Sequence, residues 1–132
     1  MAVMGFREPN MARWVGVRPG HDGQQLVVLG SATNVQTTIV YTVPAGNLLL
    51  LCGIVLSAHG AAVNLSDLYV RNSADVLQYY MWEHYWPSDY GFAWAHSYYP
   101  PIEIPAGWDV VVANGIAASY VRSSINGILQ PV

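Results

Sequence analysis

The residues able to do acid–base or metal chemistry are few and widely spaced. Histidines stand at His21, His59, His84 and His96, and only His84 has an acid beside it, Glu83. No two have the close spacing of a helical zinc motif, and Cys52, alone in the chain, cannot build a thiolate site. Strands of a sandwich could still gather His59, His84 and His96, so that trio is the candidate set for a metal. The acids Asp67, Asp75, Glu83, Asp89, Glu103 and Asp109 are scattered, and nothing marks two of them as a catalytic pair. The chain has no Gly-x-Ser-x-Gly elbow and no phosphate-cradling glycine loop, and Cys52 sits in an apolar run where a thiol acts as a small hydrophobe. Asn64-Leu65-Ser66 has the form of a glycosylation acceptor and reads as a turn. These absences point away from an enzyme: no catalytic residue, no metal and no cofactor is expected.

Composition points instead to association. The 132 residues suffice for one domain, yet 53% are hydrophobic and only 10% charged, against roughly 25% charged in an average globular domain. A monomer exposing that apolar surface would carry larger patches than single soluble domains tolerate, so a homo-oligomer or larger assembly should cover it. The chain has no lysine, and its five arginines face eight acids, so the basic stripe that nucleic acid requires is missing. Three arginines, Arg7, Arg13 and Arg18, nonetheless fall in the first 18 residues. Such a segment either docks on an acidic surface or merely keeps a tail solvated. The first ten residues lack the apolar stretch of a signal peptide, and the run Leu48 to Leu56 is too short to cross a bilayer. Synthesis in the cytoplasm and no membrane partner are therefore expected.

Two parts follow from the pattern along the chain. Residues 1–25 lack periodicity and are broken by Pro9, Gly16, Pro19, Gly20 and Gly23, which reads as an extended arm. Trp14 and Val17 would waste apolar area in solvent, so a neighbouring subunit or another protein should receive them, with Arg13 and Arg18 beside them. Residues 26–132 break into short β segments at 26–29, 37–43, 47–57, 67–70, 76–81, 102–104, 108–113, 119–122 and 125–129. No dozen residues show a helical period, so the expected fold is all-β, a sandwich, jelly roll or barrel of about eight short antiparallel strands. An internal echo, Val43-Pro44-Ala45-Gly46 and Ile104-Pro105-Ala106-Gly107, predicts two tight hairpin corners. Proline is placed at the second turn position and glycine at the fourth. Strict alternation after the first corner puts Leu48, Leu50, Cys52, Ile54 and Leu56 on one face and Leu49, Leu51, Gly53, Val55 and Ser57 on the other. Both faces are apolar, so one fills the core, and a loop or a neighbouring subunit should cover the other. Between Tyr79 and Tyr99 an aromatic cluster surrounds a loop marked by Pro87, Ser88, Asp89 and Gly91. Tyr80, Trp82 and Trp94 are expected in the core or a subunit interface, and the rest form a recognition surface suited to proteins or sugars.

Around the corners, Tyr-Thr-Val-Pro-Ala-Gly (41–46) leads a long apolar strand and Pro-Ile-Glu-Ile-Pro-Ala-Gly (101–107) a short valine strand. With these motifs the sequence resembles small jelly-roll virion proteins of tailed bacteriophages over about residues 37–129. The resemblance implies a homotrimeric capsid decoration (cement) protein on the virion surface, with the major capsid protein or another virion protein as partner. It further implies structural turns at Pro44, Gly46, Pro105 and Gly107, a trimer interface or core at Leu48, Leu49, Leu50, Leu51, Ile54 and Val55, and arm contacts through Arg13, Trp14, Val17 and Arg18. Its alternative is a tail, neck or fibre module that stacks Trp82, Tyr85, Trp86 and Tyr90 on host-surface glycans.

Overall fold

The computed structural model describes residues 23–34, 36–60, 64–86, 90–115 and 119–132, and the arm residues Arg13, Trp14, Val17 and Arg18 lie outside them. Within them the chain forms eight strands and no helix: β1 (Gln24–Thr33), β2 (Gln36–Thr42), β3 (Asn47–Gly60), β4 (Asn64–Arg71), β5 (Leu77–Trp86), β6 (Tyr90–Ile104), β7 (Asp109–Asn114) and β8 (Ser119–Pro131). They make two antiparallel four-stranded sheets, ordered β1-β8-β3-β6 and β2-β7-β4-β5. Each strand of the first half pairs with its mirror in the second, β1 with β8, β2 with β7, β3 with β6 and β4 with β5. A long hairpin folded at its middle and rolled up gives these pairs, and the result is a jelly-roll-like β-sandwich.

The rolled hairpin explains the internal echo. β2 and β3 lie in different sheets, as do β6 and β7, so both Pro-Ala-Gly segments carry the chain across the sandwich and neither closes a hairpin. The two crossings run side by side, with Val43 N–H donating to the Trp108 carbonyl (3.0 Å) and Gly107 N–H to the Val43 carbonyl (2.8 Å). The turns also begin one residue later than the sequence suggests. Asn47 N–H closes on the Pro44 carbonyl (3.2 Å) and Trp108 N–H on the Pro105 carbonyl (3.2 Å), which puts proline first and glycine third. Gly46 and Gly107 accordingly take φ of 76° and 80°, as the third position of a type II turn requires.

The core lies between the sheets and consists of aliphatic side chains, among them Leu49, Leu51, Ile54, Leu56, Leu68, Val70, Val110, Val112 and Ile125. β3 does not alternate strictly. Its register against both β6 and β8 shifts between Leu51 and Gly53, so Cys52 is the extra residue of a bulge. The inward set changes phase there, from Leu49 and Leu51 to Ile54, Leu56 and Ala58. Ile54 and Leu56 thus share the core with Leu49 and Leu51, and Leu48 and Leu50 join Val55 on the outside.

The same register makes β8 one continuous strand where the sequence suggests two. The aromatic region is likewise mostly strand, with β5 running to Trp86 and β6 resuming at Tyr90, so Gly91 is a strand residue. Tyr98 to Pro101 of β6 have no partners on β3, and β6 tolerates its two prolines because it is an edge strand.

At the end of the sandwich where β1 meets β2, buried Asn114 accepts from Ser66 Oγ (2.9 Å) and donates to Ser119 Oγ (2.7 Å) and the Asn34 carbonyl (2.9 Å). One amide therefore ties β4, β7, β8 and the β1–β2 connection together.

Candidate interaction surfaces

The outer face of the β1-β8-β3-β6 sheet follows from its register. Rows across it read Gln25, Ile128, Leu50, Glu103; then Val27, Asn126, Gly53, Ser97; then Leu29, Ser124, Val55, Ala95; then Ser31, Arg122, Ser57, Ala93. Alanine, serine and glycine give β8, β3 and β6 a low floor, while Val27 and Leu29 stand 70% and 77% exposed along β1. Val55, 49% exposed, lies at the centre, with Leu48, Leu50 and Ile128 half-buried around it. Arg122 and Glu103 are the only arginine or acid in those rows. Such a floor lets a second sheet approach to the ~10 Å of face-to-face packing, and the raised aliphatic edge supplies apolar area to bury.

Of the residues assigned to a trimer interface or core, the structure therefore divides the set. Leu49, Leu51 and Ile54 are in the core, whereas Leu48, Leu50 and Val55 reach the outer face. The sequence missed Val27 and Leu29 because they lie in a short segment scored only as a strand. Their alternation with inward Leu26 and Val28 was the available signal.

The outer face of the second sheet differs in character. Ile39, Val111, Tyr69 and Tyr80 form one row, with the Tyr69 and Tyr80 rings edge to face at 5.9 Å. Tyr80 thus turns outward, 48% exposed, while Trp82 and Trp94 pack against the core. Below that row Asp109 accepts from Thr42 Oγ1 (2.6 Å) and from Arg71 Nε (3.0 Å), and Arg71 also meets Asp75 at 3.3 Å. Above it Thr37, Ala113, Asp67 and Glu83 make a row, and a depression of about 340 Å³ opens beside Gln36, Thr37, Leu65, Asp67 and Ala113. Asp67 and Glu83 are direct cross-strand partners, and Asp67 Oδ1 is shut off from water without a hydrogen-bond donor.

Burial, and then the charge of Glu83, push the Asp67 carboxyl up to about 6. Because this exceeds the ordinary aspartate value near 4, the folded chain holds a proton that the unfolded chain releases between pH 4 and 6. Asp67 then contributes stability below about pH 4 that is lost as pH rises through 6. Asp67→Asn is expected to raise the melting temperature at pH 7. The gain should shrink towards pH 4, as thermal melts at both pH values would show.

The remaining candidates separate. Trp82 faces the core and stacks on His84 at 5.9 Å, whereas Tyr85 lies on the outer face, 70% exposed, so the two share no platform. Beyond the backbone of Trp86 and Tyr90, the aromatic loop lies outside the described residues. His59 stands on the outer face of the first sheet over Tyr120 (6.1 Å), while His96 of the same sheet stacks on Trp94 at 5.5 Å on the opposite side. His59 and His96 therefore cannot converge on one ion with His84, and the described residues hold no cluster of three ligating side chains.

No protein-family model matches the chain, and no curated protein matches it. Among solved structures, a chain of the cyanophage Pam1 capsid asymmetric unit is similar at 17% sequence identity, with 97% of this chain and 100% of that chain covered and a TM-score of 0.47. At that level the likeness assigns neither family nor role.

Proposed function

We propose that this chain is a structural virion protein, a homotrimeric decoration protein of a phage head that braces the shell by bridging capsid subunits, with no catalytic activity. The observation that carries the assembly reading is the outer face of the β1-β8-β3-β6 sheet, low-floored and nearly uncharged, with Val27, Leu29 and Val55 left in solvent. The Pro-Ala-Gly corners, which the resemblance to phage virion proteins rests on, support the placement in a virion. Burial of area is the mechanism: each ~400 Å² of apolar surface covered contributes about 10 kcal/mol before ordering costs, and three copies on one trimer add avidity.

The test is to add the purified protein to phage heads that lack it and to image them. The proposal expects saturable binding at local three-fold positions and heads that resist heat better. Heads that stay bare, or binding confined to tails or glycans, would overturn it.

A further inference from the structure

Each sheet ends in two edge strands, and three of these four edges carry a feature that keeps other strands away. β2 has only seven residues, and its register shifts between Ile39 and Tyr41. β5 meets β4 through two register shifts and presents Glu83, while β6 contains Pro100, Pro101 and Glu103. Short length, bulges, prolines and charges are the means by which sheet edges avoid pairing with other chains. β1 has none of them. Its ten residues hold one unbroken register against β8, with no charge and no proline.

The hydrogen bonds fix which groups β1 offers at its open side. Asn34 N–H donates to the Ser119 carbonyl (2.8 Å), and this pair continues the β1–β8 register, so the even-numbered residues of β1 bond to β8. The odd-numbered residues turn their N–H and C=O groups to the open edge. At its far end Thr33 N–H is already taken by Gln36 Oε1 (2.9 Å). Gln25, Val27, Leu29 and Ser31 remain, and no described strand pairs with them on that side.

We propose that this edge pairs with its own copy, the β1 strands of two chains running antiparallel about a two-fold axis at Val28 and joining their sheets into one. In that register Val27 meets the second copy's Leu29 and Gln25 its Ser31, so all four residues exchange both backbone bonds, and the exposed aliphatic side chains lie opposite each other. Neighbouring registers do less. Centring on Val27 sets Ser31 against Gly23, before the strand begins, and centring on Leu29 sets Gln25 against Thr33, whose N–H is occupied. A centre between two residues opposes odd positions to even ones, whose groups point to β8.

A two-fold contact cannot lie inside a three-fold trimer. The pairing stands on the edge alone, but its use as a link between trimers rests on the reading above: adjacent three-fold positions of a hexagonal surface net are related by two-folds. A seam one strand wide buries far less than the ~1,000 Å² of a stable interface. It is therefore weak in dilute solution and takes hold where a shell keeps trimers side by side, at roughly millimolar effective concentration.

The test is disulfide trapping in the full chain at about 1 mM, with Cys52→Ser removing the native thiol. In the proposed register Val28 faces its own copy as a non-hydrogen-bonded pair with Cα atoms about 4.5 Å apart, within disulfide range. Gln25 and Ser31 lie roughly 20 Å from theirs. Oxidised Val28→Cys should then give at least about tenfold more covalent dimer than Gln25→Cys or Ser31→Cys. Because Val28 is half-buried, a mixture of Val27→Cys and Leu29→Cys chains, both exposed positions, supplies a second trap, its 27–29 junction read by mass spectrometry. Val27→Pro removes only an edge N–H, keeps the bonds to β8, and should cut the Val28→Cys yield about tenfold. No dimer from either trap, equal yields at 25, 28 and 31, or a dimer indifferent to Val27→Pro would overturn the proposal. Native mass of the reduced chains separates the two claims. Trimers that give no trapped dimer sink the edge pairing alone, whereas single chains that still trap at position 28 sink the trimer reading and leave the edge pairing standing.

Discussion

Gly127→Ala is expected to destabilise the fold by about 3 kcal/mol. A Cβ at position 127 would stand 2.4 Å from the Leu50 carbonyl oxygen and 3.1 Å from Leu51 Cα, both backbone atoms of β3 that cannot swing away. Gly127 pairs with Leu51, directly before the bulge at Cys52, so the methyl group would push β8 off the strand at the point where β3 changes phase. The loss would be shared by Leu49, Leu51, Ile54 and Leu56, whose inward placement depends on that bulge. Urea unfolding of the parent and variant would measure it, with a shift in midpoint expected at unchanged slope.

The second large effect concerns association. Leu29→Asp combined with Val55→Asp places two carboxylates in one row of the outer face. Both positions are exposed, so the subunit should fold as before and keep its far-UV circular dichroism. Burying two unpaired charges against a neighbour would cost about 4 kcal/mol, and the association constant is expected to fall roughly a thousandfold. Sedimentation velocity over a dilution series would register this as dissociation to monomer at concentrations where the parent stays assembled.

Much of this architecture was legible in the sequence, for reasons that also mark the limits. Turn residues and the lack of helical period sufficed for an all-β sandwich of about eight strands, because both signals are local. The Pro-Ala-Gly echo was visible, but its meaning was not. Whether a turn closes a hairpin or crosses between sheets depends on where the partners of β2 and β6 lie, and those are β7 and β3, far along the chain. Strict alternation failed in β3 because of the bulge at Cys52, which sits beside the close packing of Gly127, on another strand, against the β3 backbone.

The outward residues of β3 were half legible for the same cause. Alternation grouped Val55 with Leu49 and Leu51, and Ile54 with Leu48 and Leu50, but the phase change at Cys52 puts Val55 on the outer face and Ile54 in the core. The Asp67–Glu83 pair looked scattered because its two members are 16 residues apart and meet only through the β4–β5 register.

The most direct test of assembly through the outer sheet face is sedimentation velocity of the unaltered chain at micromolar concentration. The account predicts one species of about three times the 14.4 kDa chain mass. A species at the single-chain mass that persists to the highest attainable concentration would contradict it.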